Sequence, residues 1–193
     1  MQFNTMFSLL NHRKKTRRFF MRKNEIFNVK NLTRLALVAA AYVALTLMVY
    51  PLEYGPIQLR FSEILVLLCF YRKDYAVSLT VGCLIANMFS PYGVLDIILG
   101  TLATAIAVFP MYYTKNIWLA AVLPIVSNGI IVGFDLFLCG QPLWFSMGTV
   151  ALGELVVIGI LGTVVFKFIL ERNHAFMRII GSTRRTAEKT AEV

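Results

Sequence analysis

Long, unbroken apolar segments constrain this chain more than any other feature. Such segments occupy approximately residues 32–50, 61–71, 75–89, 94–114, 117–138 and 143–168. Runs of this kind are typical of membrane-spanning helices, in which each backbone polar group is satisfied within its own segment. Hydrophobic residues make up 58% of the 193 residues, and the mean hydropathy is +0.70. The sequence therefore predicts an all-α integral membrane protein of the cell membrane.

The number of spans depends on the short second segment. Residues 61–71 would reach only roughly 17 Å as an α-helix, whereas the hydrocarbon core is about 30 Å thick. Both tails are basic, with nine Lys/Arg against one acid in residues 1–34 and six against three in residues 166–193. Two cytoplasmic tails require an even number of spans. We therefore expect six transmembrane helices with cytoplasmic N and C termini, the second helix being extended by residues before Phe61.

This distribution of charge also predicts the domain organisation. Residues 1–31 are expected to form a basic cytoplasmic or interfacial segment, residues 32–168 the six-helix membrane domain with a substrate pocket, and residues 169–193 a basic cytoplasmic tail. The net charge of +9 does not indicate nucleic-acid binding, because residues 35–165 hold four Lys/Arg against six acids. The basic tails instead fix the orientation in the membrane and meet anionic lipid.

The connection between the first two segments is unusually polar. Pro51, Gly55 and Pro56 prevent a continuous helix there. Gln58, Arg60 and Glu63 follow at the mouth of the next segment. We interpret this connection as a lid over a binding site, with a plain linker as the alternative.

Acidic and amide side chains concentrate in the outer half of the expected bundle. A charged group near the bilayer centre costs about 2.5 kcal/mol or more on insertion scales, so we expect Glu154 to face the interior of the bundle. These groups predict a pocket that opens outward, with a floor, a rim and a covering loop. The candidate substrate-binding residues are Glu53, Gln58, Arg60, Glu63, Asn87, Asp96, Asn128, Asp135 and Glu154.

Simpler interpretations exist for several of these residues. Glu63 and Arg60 are three positions apart and can form a local ion pair. Asp96 begins a helix, where the helix dipole favours a carboxylate. Neither explanation applies to Asp135 or Glu154, which makes these two the strongest candidates for the pocket.

Small residues suggest two helix contacts. Ala36, Ala40 and Ala44 recur every four residues and form a flat strip, which fits either packing within the bundle or docking of a partner. Gly129 and Gly133 are more typical of helix packing than of a binding feature.

An acidic pocket with one arginine at its mouth should select a cationic ligand with several hydrogen-bond donors. A carboxylate accepts two parallel N–H bonds from an amidine-like edge, and it also binds ammonium groups. A guanine-like base with an aminomethyl arm offers both. The cysteines Cys69, Cys83 and Cys139 lie in apolar sequence without metal-binding spacing, so they are expected to be small core residues, with no metal and no cofactor.

Separated motifs then suggest a family. They are the segments 58–65 (QLRFSEIL), 82–96 (GCLIANMFSPYGVLD), 100–104 (GTLAT) and 151–154 (ALGE). Together they resemble the QueT family, regarded as the S component (the substrate-binding subunit) of an energy-coupling factor (ECF) transporter for queuosine precursors. The resemblance covers about residues 33–167. It implies six helices, a pocket capped by the first loop, an aminomethyl deazaguanine substrate and docking of the alanine strip onto a coupling subunit.

The expected partners are therefore an EcfT-type membrane coupling subunit and two EcfA-type ATPase subunits. The chain has no GxxxxGK[ST] phosphate loop of its own, so we expect a transport subunit and not an enzyme. Two alternatives stay open. One is an S component for another cationic heterocycle or vitamin, and the other is a stand-alone cation-coupled secondary transporter in which the acids relay ions.

Overall fold

The computed structural model describes residues 28–55 and 58–181, and this part of the chain is helical without strands. Residues 1–27 of the basic segment expected at 1–31, residues 182–193 of the tail expected at 169–193, and Pro56 and Ile57 of the first loop lie outside the described residues. The chain divides into two compact units, residues 1–36 and 37–193. In the first unit the described residues are helical from Val29.

Helix boundaries follow the apolar segments closely. Four helices are long and apolar enough to cross a membrane, and two apolar helices are shorter. The long ones are α1 (Val29–Met48), α5 (Val94–Met111), α6 (Ile117–Leu138) and α7 (Leu143–Leu170), the short apolar ones are α3 (Phe61–Tyr71) and α4 (Tyr75–Asn87), and two small helices, α2 (Tyr50–Glu53) and α8 (His174–Ile179), complete the set.

The second apolar segment differs from its expectation. Helix α3 begins at Phe61, and residues 58–60 before it are not helical, so the predicted extension of this helix was wrong. Its first part, Phe61–Leu67, is a 3₁₀-helix, and only Leu68–Tyr71 is α-helical. A 3₁₀-helix rises about 2.0 Å per residue, so the whole segment spans roughly 20 Å. The tighter winding recovers part of the missing length.

The helices present apolar side chains outward and small or polar side chains inward. On α5 the exposed residues Ile98, Leu102, Ile106 and Phe109 follow helical spacing. The opposite face of α5 is buried and includes Asp96, Gly100, Ala103, Thr104 and Ala107. Exposed apolar side chains on several long helices are what a lipid environment requires, because lipid provides no hydrophobic drive to hide them.

Glycines allow α6 and α7 to approach closely. A Cβ atom at Gly129 would lie 3.0 Å from the Cβ of Ala151, and one at Gly133 would lie 2.6 Å from the Cα of Met147. Next to this contact, Val132, Leu136 and Val150 form a buried cluster with Ala103 of α5. The two glycines are thus packing residues, as their spacing indicated.

Where α3 ends and α4 begins, the residues after α7 make contacts that the sequence did not suggest. The Tyr75 hydroxyl donates to the backbone carbonyl of Ile180 at 2.8 Å, and the Tyr71 hydroxyl donates to Glu171 at 3.2 Å. Met177 and Ile180 are buried. The chain after α7 therefore folds back onto the helices, at least as far as Ile180.

Two cysteines are core residues, as expected, and the third is not. Cys69 and Cys83 are buried, whereas Cys139 is exposed in the turn after α6. All three are free thiols. The apolar surroundings of Cys139 in the sequence misled the prediction, because the residue follows the last turn of the helix.

The close approach at Gly133 yields a test. Gly133→Ala should lower the thermal stability of the purified protein, because the added Cβ meets the backbone of Met147. Such overpacking typically costs about 1–3 kcal/mol, more than the roughly 1 kcal/mol that alanine gains over glycine within a helix. The matched control is Gly148→Ala, where a Cβ has no neighbour within 4 Å. A Gly133→Ala variant that melts no lower than Gly148→Ala would contradict this packing.

Candidate functional site

All the polar residues singled out from the sequence as substrate-binding candidates are buried. The exposed fractions of their side chains lie between 0% and 3%. They come from the segment between α1 and α3, from the ends of several helices and from the middle of α6 and α7. They are Glu53, Gln58, Arg60, Glu63, Asn87, Asp96, Asn128, Asp135 and Glu154.

Glu63 lies in the first turn of α3 and is held by two hydroxyl groups. The Tyr42 hydroxyl of α1 donates to Glu63 Oε1 at 2.6 Å, and the Thr104 hydroxyl of α5 donates to the same oxygen at 3.2 Å. The second carboxylate oxygen, Oε2, is buried without a hydrogen-bond partner. Glu63 therefore has a fixed orientation and one free acceptor.

Arg60 does not form the local ion pair with Glu63 that the sequence allowed, nor does it lie at an exposed rim. It is buried, and its Nη2 donates to Asn87 Oδ1 at 3.1 Å. Within residues 28–55 and 58–181 the ion pair that is present joins Arg72 and Asp74. Arg60 Nε and Nη1 have no acceptor. The 3₁₀ winding directs Glu63 towards Tyr42 and Thr104, which explains why spacing alone misjudged this pair.

Asn87 connects Arg60 to the start of α5. Its Nδ2 donates to the backbone carbonyl of Asp96 at 3.1 Å and lies 3.4 Å from Cys83 Sγ. Gly100 leaves room for this arrangement, since a Cβ there would be 2.7 Å from both Asn87 Nδ2 and Asp96 Oδ1. The amide thus fixes the guanidinium in place and leaves two of its nitrogens available.

Glu154 lies in the middle of α7 with one amide partner. Asn128 Nδ2 of α6 donates to Glu154 Oε1 at 2.6 Å. Glu154 Oε2 and Asn128 Oδ1 are both buried without a donor. The charges that act on Glu154 most strongly are those of Glu63 and Arg60. This pair presents two acceptors side by side.

Asp96 and Asp135 form a second carboxylate group. Asp96 is in the first turn of α5 and Asp135 is in the last turn of α6. Their side chains lie within hydrogen-bonding reach of each other. Neither oxygen of Asp135 has a hydrogen-bond donor.

Glu53 has a structural partner instead of a free oxygen. Its Oε1 accepts from the backbone N–H of Ser62 at 3.0 Å, and its Oε2 accepts from the Ser62 hydroxyl at 3.1 Å. Burial raises the pKa of the Glu53 carboxyl, while Arg60 and the Ser62 donors act in the opposite direction. This carboxylate accepts hydrogen bonds from donors in the first turn of α3 and so fixes where the helix begins.

The first loop lies across these residues and is held at both ends. The backbone carbonyl of Gln58 lies so close to Gly153 of α7 that a Cβ at Gly153 would overlap it. The Tyr54 hydroxyl donates to the carbonyl of Ala86 at 3.1 Å, and the Tyr92 hydroxyl donates to the carbonyl of Tyr54 at 3.3 Å. The loop therefore rests directly beside Glu154.

Comparison with known proteins identifies the family of this chain. The family model described as QueT transporter matches residues 32–171. The chain belongs to the QueT transporter family. It is also 30% identical over 151 residues to the Queuosine precursor transporter QueT of Lactococcus lactis subsp. cremoris (strain MG1363), across 69% of this chain and 87% of that protein. No solved structure matches the chain. The resemblance noted from sequence motifs is confirmed, and the chain is a multi-pass membrane protein with a transporter role.

Some residues that contact this cluster were missed by the sequence reasoning. Tyr42, Thr104, Ser62 and Tyr92 each bond to a predicted residue or to the loop. Tyr42 and Thr104 are polar groups inside otherwise apolar spans, a signal that could have been used. Ser62 and Tyr92 have no such signal, because their positions depend on how the loops fold.

The alanine strip lies outside this polar cluster. Ala40 and Ala44 are exposed, and so is Ala36 in the first unit. The neighbouring residues Ala39 and Tyr42 instead contact Gly82 of α4, with a Cβ at Gly82 falling 3.1 Å from the Ala39 carbonyl oxygen. Within the second unit, packing against α4 therefore uses a different face of α1 from Ala40 and Ala44.

Chemically, the cluster offers acceptors and one set of donors. The free acceptors are oxygens of Glu63, Asn128, Asp135 and Glu154, and the free donors are on Arg60. Among residues 28–55 and 58–181 no group of three His, Cys, Asp or Glu side chains could hold a metal ion. The arrangement suits a ligand with several N–H donors and at least one acceptor.

The contact between the loop and Gly153 generates a second test. Gly153→Ala should unseat the loop, because the new Cβ would overlap the Gln58 carbonyl. A cost of about 1–3 kcal/mol corresponds to a roughly 5- to 150-fold larger open population. Trypsin cleavage after Arg60, a buried residue of this loop, should then be faster by a similar factor. Gly148→Ala is the control, and equal cleavage rates in both variants would show that the loop does not depend on this contact.

Proposed function

We propose that the chain is the substrate-binding membrane subunit of an ECF-type importer that captures a queuosine precursor. The observation that carries the proposal is the set of buried carboxylate oxygens without donors on Glu63, Asp135 and Glu154. A buried acceptor that lacks a donor costs free energy, so a ligand that supplies donors gains by filling it. The curated relative is named a queuosine precursor transporter.

The ligand of this proposal is the aminomethyl deazaguanine. Its guanine-like edge carries an N–H and an amino group, which match the free acceptors on Glu154, Asn128 and Glu63. Its ring carbonyl needs donors, which Arg60 has free. Its ammonium arm matches a carboxylate. A vitamin-like heterocycle with fewer donors would leave some of these buried groups unsatisfied.

The topology of the proposal is six spans with both termini cytoplasmic and the cluster near the outer face. The four long helices and the two shorter apolar helices support this arrangement. The loop that ends at Arg60 then acts as the lid, and it opens outward. Residues 1–31 and 169–193 lie on the cytoplasmic side of this scheme.

Energy and translocation come from partners in this scheme. The proposed partners are an EcfT-type coupling subunit and two EcfA-type ATPase subunits. The exposed side chains of Ala36, Ala40 and Ala44 support a docking surface for the coupling subunit, because small residues allow two helices to approach closely.

Removing one carboxylate tests the binding proposal. Glu154→Gln keeps the shape but places a donor where the ligand needs an acceptor. Truncating one partner of a buried charged pair typically costs about 2–5 kcal/mol, a roughly 30- to 5,000-fold loss of affinity. Equilibrium binding of the aminomethyl deazaguanine to the purified protein measures this. Glu171→Gln, which removes a carboxylate outside the cluster, is the control.

The expression level provides the check on folding. Glu154→Gln should express at least as well as the parent, because the substitution removes a buried charge that forms no ion pair. A well-expressed Glu154→Gln variant that binds the ligand as tightly as the parent would refute the assignment of Glu154 to the pocket.

A bulky residue on the alanine strip tests the coupling proposal. Ala40→Leu should abolish uptake by cells but leave ligand binding to the purified subunit unchanged, because it separates helices that must approach closely. Gly148→Leu, which adds a similar side chain at another exposed position, should transport normally. Normal uptake by Ala40→Leu would mean that the strip is not a docking surface.

A further inference from the structure

The Asp96–Asp135 pair brings two buried carboxyl groups together, and neither forms an ion pair in the described part of the chain. Both side chains are buried, with exposed fractions of 2% and 0%. The two carboxyl groups lie within hydrogen-bonding reach of each other, yet no donor reaches either oxygen of Asp135. Two adjacent carboxylates cannot both be ionised cheaply unless a proton or another cation lies with them.

This pair is distinct from the group around Glu154. Asp135 lies seven residues from Asn128 along α6, roughly 10 Å at the helical rise, and Asn128 is the partner of Glu154. Arg60 is near both groups, because Asn87 joins it to the start of α5 at Asp96 and Glu63 follows it by three residues. We call the two groups the outer pair (Asp96 and Asp135) and the inner group (Glu63, Asn128 and Glu154).

Arg60 does not neutralise the outer pair. Its Nη2 is engaged with Asn87, and it makes no ion pair with any carboxylate in the described part of the chain. Helix dipoles do not stabilise both carboxylates either. Asp96 begins its helix and is favoured there, but Asp135 is in the last turn of α6, where a negative charge is disfavoured.

The kinds of group in the cluster match the kinds of group on the proposed ligand. Along one side of an aminomethyl deazaguanine come the amino group and ring N–H, then the carbonyl oxygen, then the aminomethyl arm. The protein offers the free acceptors of the inner group, the free donors of Arg60 and the carboxylates of the outer pair. An ammonium group is compact and carries three donors, so it can bond two carboxylates at once.

We propose that Asp96 and Asp135 form the subsite for the primary ammonium group of the ligand, while the inner group reads its amidine-like edge. This inference rests on the proposed function. It predicts that the two carboxylate groups respond to different parts of the same molecule.

Two ligands that differ only at the arm separate the subsites. They are the aminomethyl deazaguanine and the matching deazaguanine with a methyl group in place of the aminomethyl. Asp135→Asn should weaken binding of the aminomethyl ligand at least about 30-fold and change that of the methyl ligand by less than about threefold. Glu154→Gln should weaken both ligands, and Glu171→Gln neither.

Every outcome of this experiment is informative. If Asp135→Asn weakens both ligands equally, or neither, the subsite assignment is wrong although the parent still binds its ligand. If the parent binds neither ligand, the proposed function itself fails. Asp96→Asn provides the same comparison should Asp135→Asn not fold, and a parent that binds the methyl ligand as tightly as the aminomethyl ligand also overturns the proposal.

Discussion

The rest of this structure depends on the cost of burying carboxylates without paired cations. Glu63, Asp135 and Glu154 are fully buried within helices that expose apolar residues outward, and none of them forms an ion pair. Burying an ionised group costs several kcal/mol even after relaxation. The fold reduces this cost with single hydrogen bonds from Tyr42, Thr104 and Asn128. Those bonds orient Glu63 and Glu154 and leave one oxygen of each open, whereas Asp135 receives no such bond.

Close backbone contacts bring these groups together. Gly129 and Gly133 let α7 approach α6, which places Glu154 beside Asn128. Gly153, which precedes Glu154 in the chain, lets the first loop lie against α7. Glu53 fixes the start of α3 through Ser62, which in turn determines where Glu63 points. The glycines at these close contacts therefore contribute to the site as much as the charged residues do.

Sequence alone predicted most of the fold and the membership of the cluster, but not its internal bonding. Apolar length determined the helices, and α6 was predicted with its observed bounds, Ile117–Leu138. The buried acids were also foreseen, because a carboxylate in an apolar span has few alternatives to a polar interior. The roles of Arg60 and Glu53 were not, since each depends on the loop path and on the 3₁₀ winding of α3. Residue spacing predicts neither the loop path nor the 3₁₀ winding.

The distribution of carboxylates along the bundle favours binding over conduction. Glu63 and Asp96 lie in first turns, Asp135 in a last turn, and Glu154 midway along α7, so all four occupy one half of the helices. Beyond Glu154, α7 continues through Leu155–Gly162 without a charged residue. An ion relay needs titratable groups along the whole path, and these groups stop halfway. A ligand held by this cluster reaches the other side only if the protein rearranges around it.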